Sequence, residues 1–408
     1  MKVLYISSEY PEETGFGGIA TYTRYMAEAM ASMGHQVHVI CRALHKEMHA
    51  VKNGVNVHRV YCKPYTLPAG RIWFLWRQLA YKTISQSLNR LSWAATVNDE
   101  YLRLSMNTKI DVIEYPDCGA EGYYLSYKKL PLVVRLHTPW TVVRRLNRLK
   151  EHPLDCWLQK FMELRAIKHA TAITSPSSAM AEMLCKQWQI GAPVVYPNPL
   201  PANRFTSNNN GSHWIYTGRL EYRKGVHVLI KSYHMICKTH SPPHLYLIGR
   251  AFGTMPDGKS YENHISDLIS EFNLNDKIHV IGGVDQSGIH QFLKSSSVAF
   301  FPSLWENHPY SCLEAMAAST VVCASDCGGF PEIIQDGSNG ILFRCNDPVS
   351  LADKMRWLLE NANATVNLAR KAHQHISDNF NPEKICGRAL EVYQNVTKKI
   401  AACDHQSD

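Results

Sequence analysis

Two carboxylates and a helix start lie close together in the stretch Phe301–Ala317, FPSLWENHPYSCLEAMA. Glu306 falls in a loop, and Glu314, eight positions on, falls on the helix that follows. Asn307, His308 and Pro309 read as the start of that helix. Proline is tolerated at the first helical position because its missing N–H would be unpaired there anyway. The amides of Tyr310, Ser311 and Cys312 are then expected to lack intrahelical partners, at the positive end of the helix dipole. Such amides bind anions. One carboxylate beside an anion cradle and a second behind it suit a ligand with hydroxyls at both ends and phosphates in the middle, such as a nucleotide sugar. The pair could also be read as a general acid/base dyad. Glu314 sits in an apolar helix face with Leu313, Met316 and Ala317, so it reads better as an acceptor for a ligand diol.

Cations to meet a diphosphate occur in Thr217–Gly225, TGRLEYRKG. Arg219 and Lys224 flank an expected strand–loop–helix junction with Gly218 between strand and cations, where they would bind a diphosphate and stabilise its charge on departure. The bland alternative is a solvated basic turn. An earlier loop, TGFGGI, places Gly17 and Gly18 between a strand and a helix, where amides can approach a phosphate or sugar. It is not G-x-G-x-x-G, and Cys41-Arg42 stand where a ribose-binding acid would be, which argues against a dinucleotide. His137 caps an expected strand. The turn Cys327–Glu332, CGGFPE, either touches the ligand or only turns the chain. No D-x-D pair and no His/Glu cluster at ligand spacing appears, so a metal-independent reaction with no cofactor is expected.

These loops need a frame. Short apolar runs alternate with helical periodicity from Lys2 to Tyr61 and again at 112–115, 132–136, 172–174 and 194–195. That rhythm marks a doubly wound parallel sheet. A Pro/Asn-rich stretch, PNPLP followed by SNNNGS, reads as a linker, and the rhythm restarts after it. The expected domains are 1–200, 201–380, and a last helix in 381–408 packing back on the first domain. The loops 9–18, 137–140, 218–224, 249–253 and 302–310 all follow expected strands and can converge on a cleft between two such units.

Composition narrows the class. The 408 residues call for two or three domains, and Lys plus Arg exceed Asp plus Glu by 43 − 35 = 8. That excess suits an anionic small ligand or acidic membrane surface. Without stacked-aromatic RNA motifs or zinc-finger spacing, nucleic acid is not an expected partner. The twelve cysteines are scattered without C-x-x-C pairs, which favours a reducing, cytoplasmic setting. The apolar run in MKVLYISSEYP is too short for a signal peptide or membrane span. The basic–aromatic stretches Arg71–Lys82 and Arg144–Lys150 read either as half-buried helices or as peripheral contacts with the inner face of a membrane.

Taken together, GRLEYRKG, FPSLWENHPYSCLEAMA and GGFPEIIQDGSNGILF resemble the retaining glycosyltransferases of family 4, over most of the chain. The resemblance implies the GT-B fold: two facing Rossmann-like domains with a cleft between them. It implies Glu306 beside the donor sugar, Glu314 on the ribose, and Arg219 and Lys224 on the diphosphate. It also implies His137 near the reaction centre and Gly17 and Gly18 against phosphate or sugar. The base is usually read by backbone near Gly249, Arg250 and Ile281. His308-Pro309 stands where the family often has Phe-Gly, so donor contacts are expected from His308, Tyr310 and Ser311. The expected reaction moves a hexose from a nucleotide diphosphate sugar, UDP-linked, to a saccharide or lipid-linked hydroxyl in polysaccharide or glycoconjugate synthesis. A nucleotide-sugar epimerase of the same architecture is the alternative.

Overall fold

The computed structural model describes residues 1–404 apart from 12, 15–16, 64–70, 206–210 and 256, and describes only the backbone of 71–80 and 403–404. The sequence features at Gly15 and Phe16, in 207–210, and the side chains of 71–80 therefore lie outside the described residues. The chain packs as two compact units: Met1–Val143, Lys150–Pro199 and Pro382–Asp408 form the first, and Arg144–Leu149 with Leu200–Asn381 form the second.

The first unit holds β1 (Lys2–Ile6), β2 (Gln36–Arg42), β3 (Met48–Lys52), β4 (Val55–Val60), β5 (Val112–Pro116), β6 (Leu132–Arg135), β7 (Ala172–Ser175) and β8 (Val194–Val195). Their order is β3-β4-β2-β1-β5-β6-β7-β8. Every pair is parallel except the β3–β4 hairpin. Strand β5 is buried along its whole length, as a central parallel strand covered on both faces must be. Strand β4 matches the apolar run expected at 55–61, but its hairpin partner β3 is not expected from the apolar pattern, although Asn53-Gly54 signals it. Both residues have positive φ, 49° and 78°, as the two centres of a type I′ turn require.

The C-terminal helix Pro382–Asp404 packs on the helix Gly18–Ser32 and on β5 and β6. Its Tyr393 donates to Glu114 Oε2 at 2.7 Å, while Tyr22 donates to Oε1 at 2.8 Å. Tyr5 and Tyr393 hydroxyls lie 3.2 Å apart. Burial pushes the Glu114 carboxyl up, against Arg135 and the two phenol hydrogen bonds. Arg135 lies between the Tyr22 and Tyr196 rings, 4.9 and 4.2 Å from their centres.

The second unit holds β9 (His213–Thr217), β10 (Leu245–Ile248), β11 (Ile278–Gly282), β12 (Ser296–Phe301), β13 (Val321–Ser325) and β14 (Ile341–Phe343). The order β11-β10-β9-β12-β13-β14 reverses direction between β9 and β12, the doubly wound pattern of a nucleotide-binding sheet. Trp214 meets Phe300 edge-on at 5.0 Å in a core completed by Tyr233, Leu351 and Met355. The helix Pro348–Glu360 starts where Asp347 accepts from the amides of Val349 and Ser350 at 2.9 and 3.0 Å.

Glycine is required where the helix Val226–Cys237 starts against the segment that follows β12. Gly225 has φ +68°, and a Cβ there would fall 1.9 Å from the Pro302 carbonyl oxygen. Gly337 has a similar φ of +71° but open space around it. Gly337→Ala is therefore expected to cost about 1 kcal/mol, the backbone term alone. Gly225→Ala should cost at least about 3 kcal/mol, because backbone must also move. Urea unfolding of the two variants checks this, and equal losses would refute the close-approach argument.

Candidate active site

In an open α/β sheet, a ligand sits beyond the carboxyl ends of the strands where their order reverses. In the second unit this is the meeting of the segment after β9 with the segment after β12. Leu304 donates its amide to the Arg223 carbonyl at 2.7 Å, locking the two segments together. Glu306 Oε1 then lies 2.6 Å from Arg223 Nη1 and 2.5 Å from Lys224 Nζ. Arg223 Nη2 also pairs with Glu221 at 2.8 Å. All four side chains are largely shielded from water, so this is a buried four-charge network.

Burial works against the Glu306 carboxylate, but Arg223 and Lys224 hold it below the usual range. Burial lowers Lys224, with Arg223 adding repulsion and Glu306 opposing both. Arg223 is held above its usual value by Glu306 and Glu221 despite burial. The loop's far side is fixed by Gly328, whose Cβ would fall 1.9 Å from the Glu306 carbonyl, and by the Gly329 amide donating to that carbonyl at 2.9 Å.

The helix after this loop runs Tyr310–Ala317, and Pro309 is its N-cap rather than its first helical residue. Pro309 has an extended backbone, and its carbonyl accepts from Cys312 and Leu313 at 3.2 and 3.3 Å. The Cys312 amide is thus already used, which corrects the three-amide cradle expected from the sequence. His308 is buried, with its ring 5.7 Å from Phe380, and Tyr310 is buried too. Glu314 is buried on the same helix, and burial pushes its carboxyl up to about 7 despite a Gln286 hydrogen bond. Ser311 opens the same first turn.

Arg219, by contrast, is exposed, 5.8 Å from the Phe252 ring, with no carboxylate partner among the described residues. Gly218, Gly249 and Arg250 follow β9 and β10, and Ile281 lies in β11, so all four gather at the same sheet end. Gly249 donates to the Gly282 carbonyl at 2.7 Å, and its Cβ would meet the Gly218 carbonyl at 1.8 Å.

Asn147 carries no local signal of a role. It belongs to the short segment Arg144–Leu149 that packs in the second unit, not in the 1–200 domain assigned from sequence. Asn147 accepts from the Arg223 amide at 3.0 Å and donates to Glu221 Oε2 at 3.3 Å. Arg148 stacks 4.5 Å over the Tyr222 ring. The helix here is only Trp140–Leu146, so Arg144–Lys150 is not a continuous basic helix for a membrane surface. Among the described residues no helix is long and apolar enough to cross a membrane. Arg223 itself stands in GRLEYRKG, but sequence spacing did not separate it from Lys224.

In the first unit the strand order reverses between β1 and β5. Gly17 caps the helix Gly18–Ser32, close against Glu9. Past β6, half-buried His137 meets Tyr22 edge-on at 4.9 Å. Burial and Arg135 hold its imidazole down to about 3, so it is neutral across the physiological range. Asp117, which sequence reasoning passed over, accepts from the His137 amide at 2.8 Å. Burial pushes Asp117 up to about 8, against that hydrogen bond. Next to it Thr138 has φ +126°, a strained backbone for a β-branched residue. An acid directly after a buried strand was the available signal for Asp117. His137, Tyr22, Arg135 and Glu114 line a cavity of about 10 Å³, close to the size of one water molecule.

The family model described as "Glycosyl transferases group 1" matches residues 202–375, and "Glycosyltransferase Family 4" matches 16–204. The chain belongs to this family of group 1 glycosyltransferases. It is 24% identical to a glycogen synthase of Mycobacterium tuberculosis over 96% of this chain and 94% of that one. Sucrose-phosphate synthase from Thermosynechococcus elongatus shares its fold, with a TM-score of 0.78 at 19% identity, covering 98% and 99% of the two chains. HepE from Anabaena, solved with UDP and glucose, gives 0.71 at 17% identity over 97% and 100%. The fold is GT-B, built from two Rossmann-like α/β units, and the protein is a glycosyltransferase.

Proposed function

We propose that the protein transfers a hexose from a UDP-linked sugar to a saccharide or lipid-linked hydroxyl, with retention at the anomeric carbon and without a metal. The observation that carries this is the Arg223–Glu306–Lys224 cluster at the reversal point of the second sheet. In the free protein Glu306 stands in for the anion that Lys224 is placed to meet. Donor binding exchanges partners: the diphosphate takes Lys224, with exposed Arg219 closing on it, and Glu306 turns to sugar hydroxyls. As the C–O bond to the phosphate breaks, the new charge falls on an oxygen already faced by cations. The acceptor hydroxyl attacks from the same face, and its proton passes to the departing phosphate oxygen. His137, neutral and anchored through Asp117, is assigned to the sugar at the reacting carbon. The UDP and glucose named for HepE support the donor class. The synthases named above favour transfer over the epimerase alternative.

The test is a panel of nucleotide sugars, scored for nucleoside diphosphate release with and without chelator. Release from a UDP-sugar, unchanged by chelator, is expected. No release from any donor by folded protein would sink the reading, and loss on chelation would remove metal independence.

The ribose role of Glu314 gives a pH dependence. Only its carboxylate accepts both ribose hydroxyls, and it ionises at about 7. UDP-glucose carries a fixed charge between pH 6 and 8. Its affinity should therefore rise about tenfold from pH 6 to pH 8 as Glu314 ionises. Calorimetric titration at the two pH values reads this. Glu314→Gln should flatten the profile, and a slope kept in that variant would place the titrating group elsewhere.

A further inference from the structure

The first sheet assembles a ligand set that spacing along the chain does not show. The Asn53-Gly54 turn fixes the β3–β4 register so that His49 stands directly opposite His58. Their Nδ1 atoms lie 2.9 Å apart. The helix Arg71–Ser105 brings Glu100 Oε1 to 3.6 Å from His58 Nδ1. One donor atom from each of the three lies within 4.8 Å of the others. A tetrahedral zinc-class ion with bonds of about 2.0–2.1 Å holds its ligand atoms roughly 3.3 Å apart. The distances 2.9 and 3.6 Å bracket that value.

The hydrogen bonds fix the protons. Arg103 donates to His49 Nε2 at 2.6 Å, so the His49 proton sits on Nδ1 and points at His58 Nδ1. His58 then carries its proton on Nε2 and donates to His38 Nδ1 at 3.0 Å. Both Nδ1 atoms therefore face one shared position that now holds a single proton. His38 is the outer partner that orients a ligand imidazole. Arg103 is exposed: its Nε holds Glu100 Oε2 at 2.9 Å, while its Nη2 reaches both His49 Nε2 and Glu100 Oε1, at 2.6 and 2.7 Å, so Nη2 must swing away to free Oε1 for an ion while Nε keeps its hold on Oε2.

We propose that His49, His58 and Glu100 bind a divalent transition-metal ion of the zinc class at the hairpin edge of the first sheet. Three protein ligands leave a fourth position for water. None of these residues serves the transfer reaction proposed above, so this site stands or falls independently of it.

The experiment strips the full-length protein with chelator, equilibrates it with zinc alone, removes free metal by gel filtration and measures retained zinc. About one zinc per chain is expected, with a rise in Tm on the order of 5 °C. His49→Gln changes an exposed residue and so spares the fold; it and Glu100→Gln should lose the zinc and the shift. With 20 histidines in the chain, a control is required. The His244–His279 pair is 2.8 Å apart but has no third ligand among the described residues. His279→Ala should therefore retain zinc like the parent. No zinc in the parent, equal zinc in His49→Gln, or loss in His279→Ala would each overturn the proposal.

Discussion

Lys224→Ala is expected to lower kcat/KM for the nucleotide-sugar donor by roughly 10²–10³, the loss typical of one preorganised charge-stabilising group. The ammonium is already in place, shielded from water and 2.5 Å from Glu306, so it needs little rearrangement to meet a diphosphate. Lys224→Arg keeps the charge but replaces a point donor with a planar fork and should recover only part of the loss. A structural role alone would predict a fall in Tm with turnover unchanged. Steady-state kinetics beside a thermal melt separates the two outcomes. Near-normal turnover in Lys224→Ala would end the phosphate assignment.

Glu306→Gln should destabilise the second unit by about 3 kcal/mol, because it leaves Lys224 unpaired and Arg223 with Glu221 alone in a shielded site. For a unit of this size that is on the order of 10 °C in Tm. Adding Lys224→Met removes the orphaned charge, and the double variant should be more stable than Glu306→Gln alone. The sign with pH follows from the depressed Glu306 carboxyl. Its contribution is fully present above the ordinary carboxylate range and is lost as pH falls through its lowered value. The difference between parent and Glu306→Gln should accordingly shrink in acid. A difference that grew in acid would mean that another group carries the effect.

Much of this was legible because buried parallel strands leave continuous apolar runs and glycines mark close approaches. β5, β6, β7 and β8 could be placed within a residue, as could Glu306 and Lys224 at the loops that follow strands. What stayed hidden was three-dimensional assembly. Pro309 read as the first helical residue because its φ suits that place. Its ψ of 121° puts it one step earlier, and its carbonyl takes an amide counted as free. Asn147 sits 76 positions from the amide it receives, with no local pattern to mark it. His49 meets His58 through a hairpin that a two-residue turn marks, but nothing local marks the helix position that brings Glu100 to them. Asn53-Gly54 was the missed clue.

The Glu114 network has a consequence for how the chain is made. Its acceptor lies on β5, early in the chain, but one of its two phenol donors is Tyr393, 279 residues downstream. During synthesis from the N-terminus, the first unit cannot complete its buried hydrogen bonds until Tyr393 has left the ribosome. The second unit, contiguous from Leu200 to Asn381 apart from one short segment, has nearly all its residues earlier. The order of completion is therefore the reverse of the order of the units along the sequence. The unfinished first sheet must wait with Glu114 half-partnered while its successor folds, a window in which chaperone capture and aggregation compete with folding.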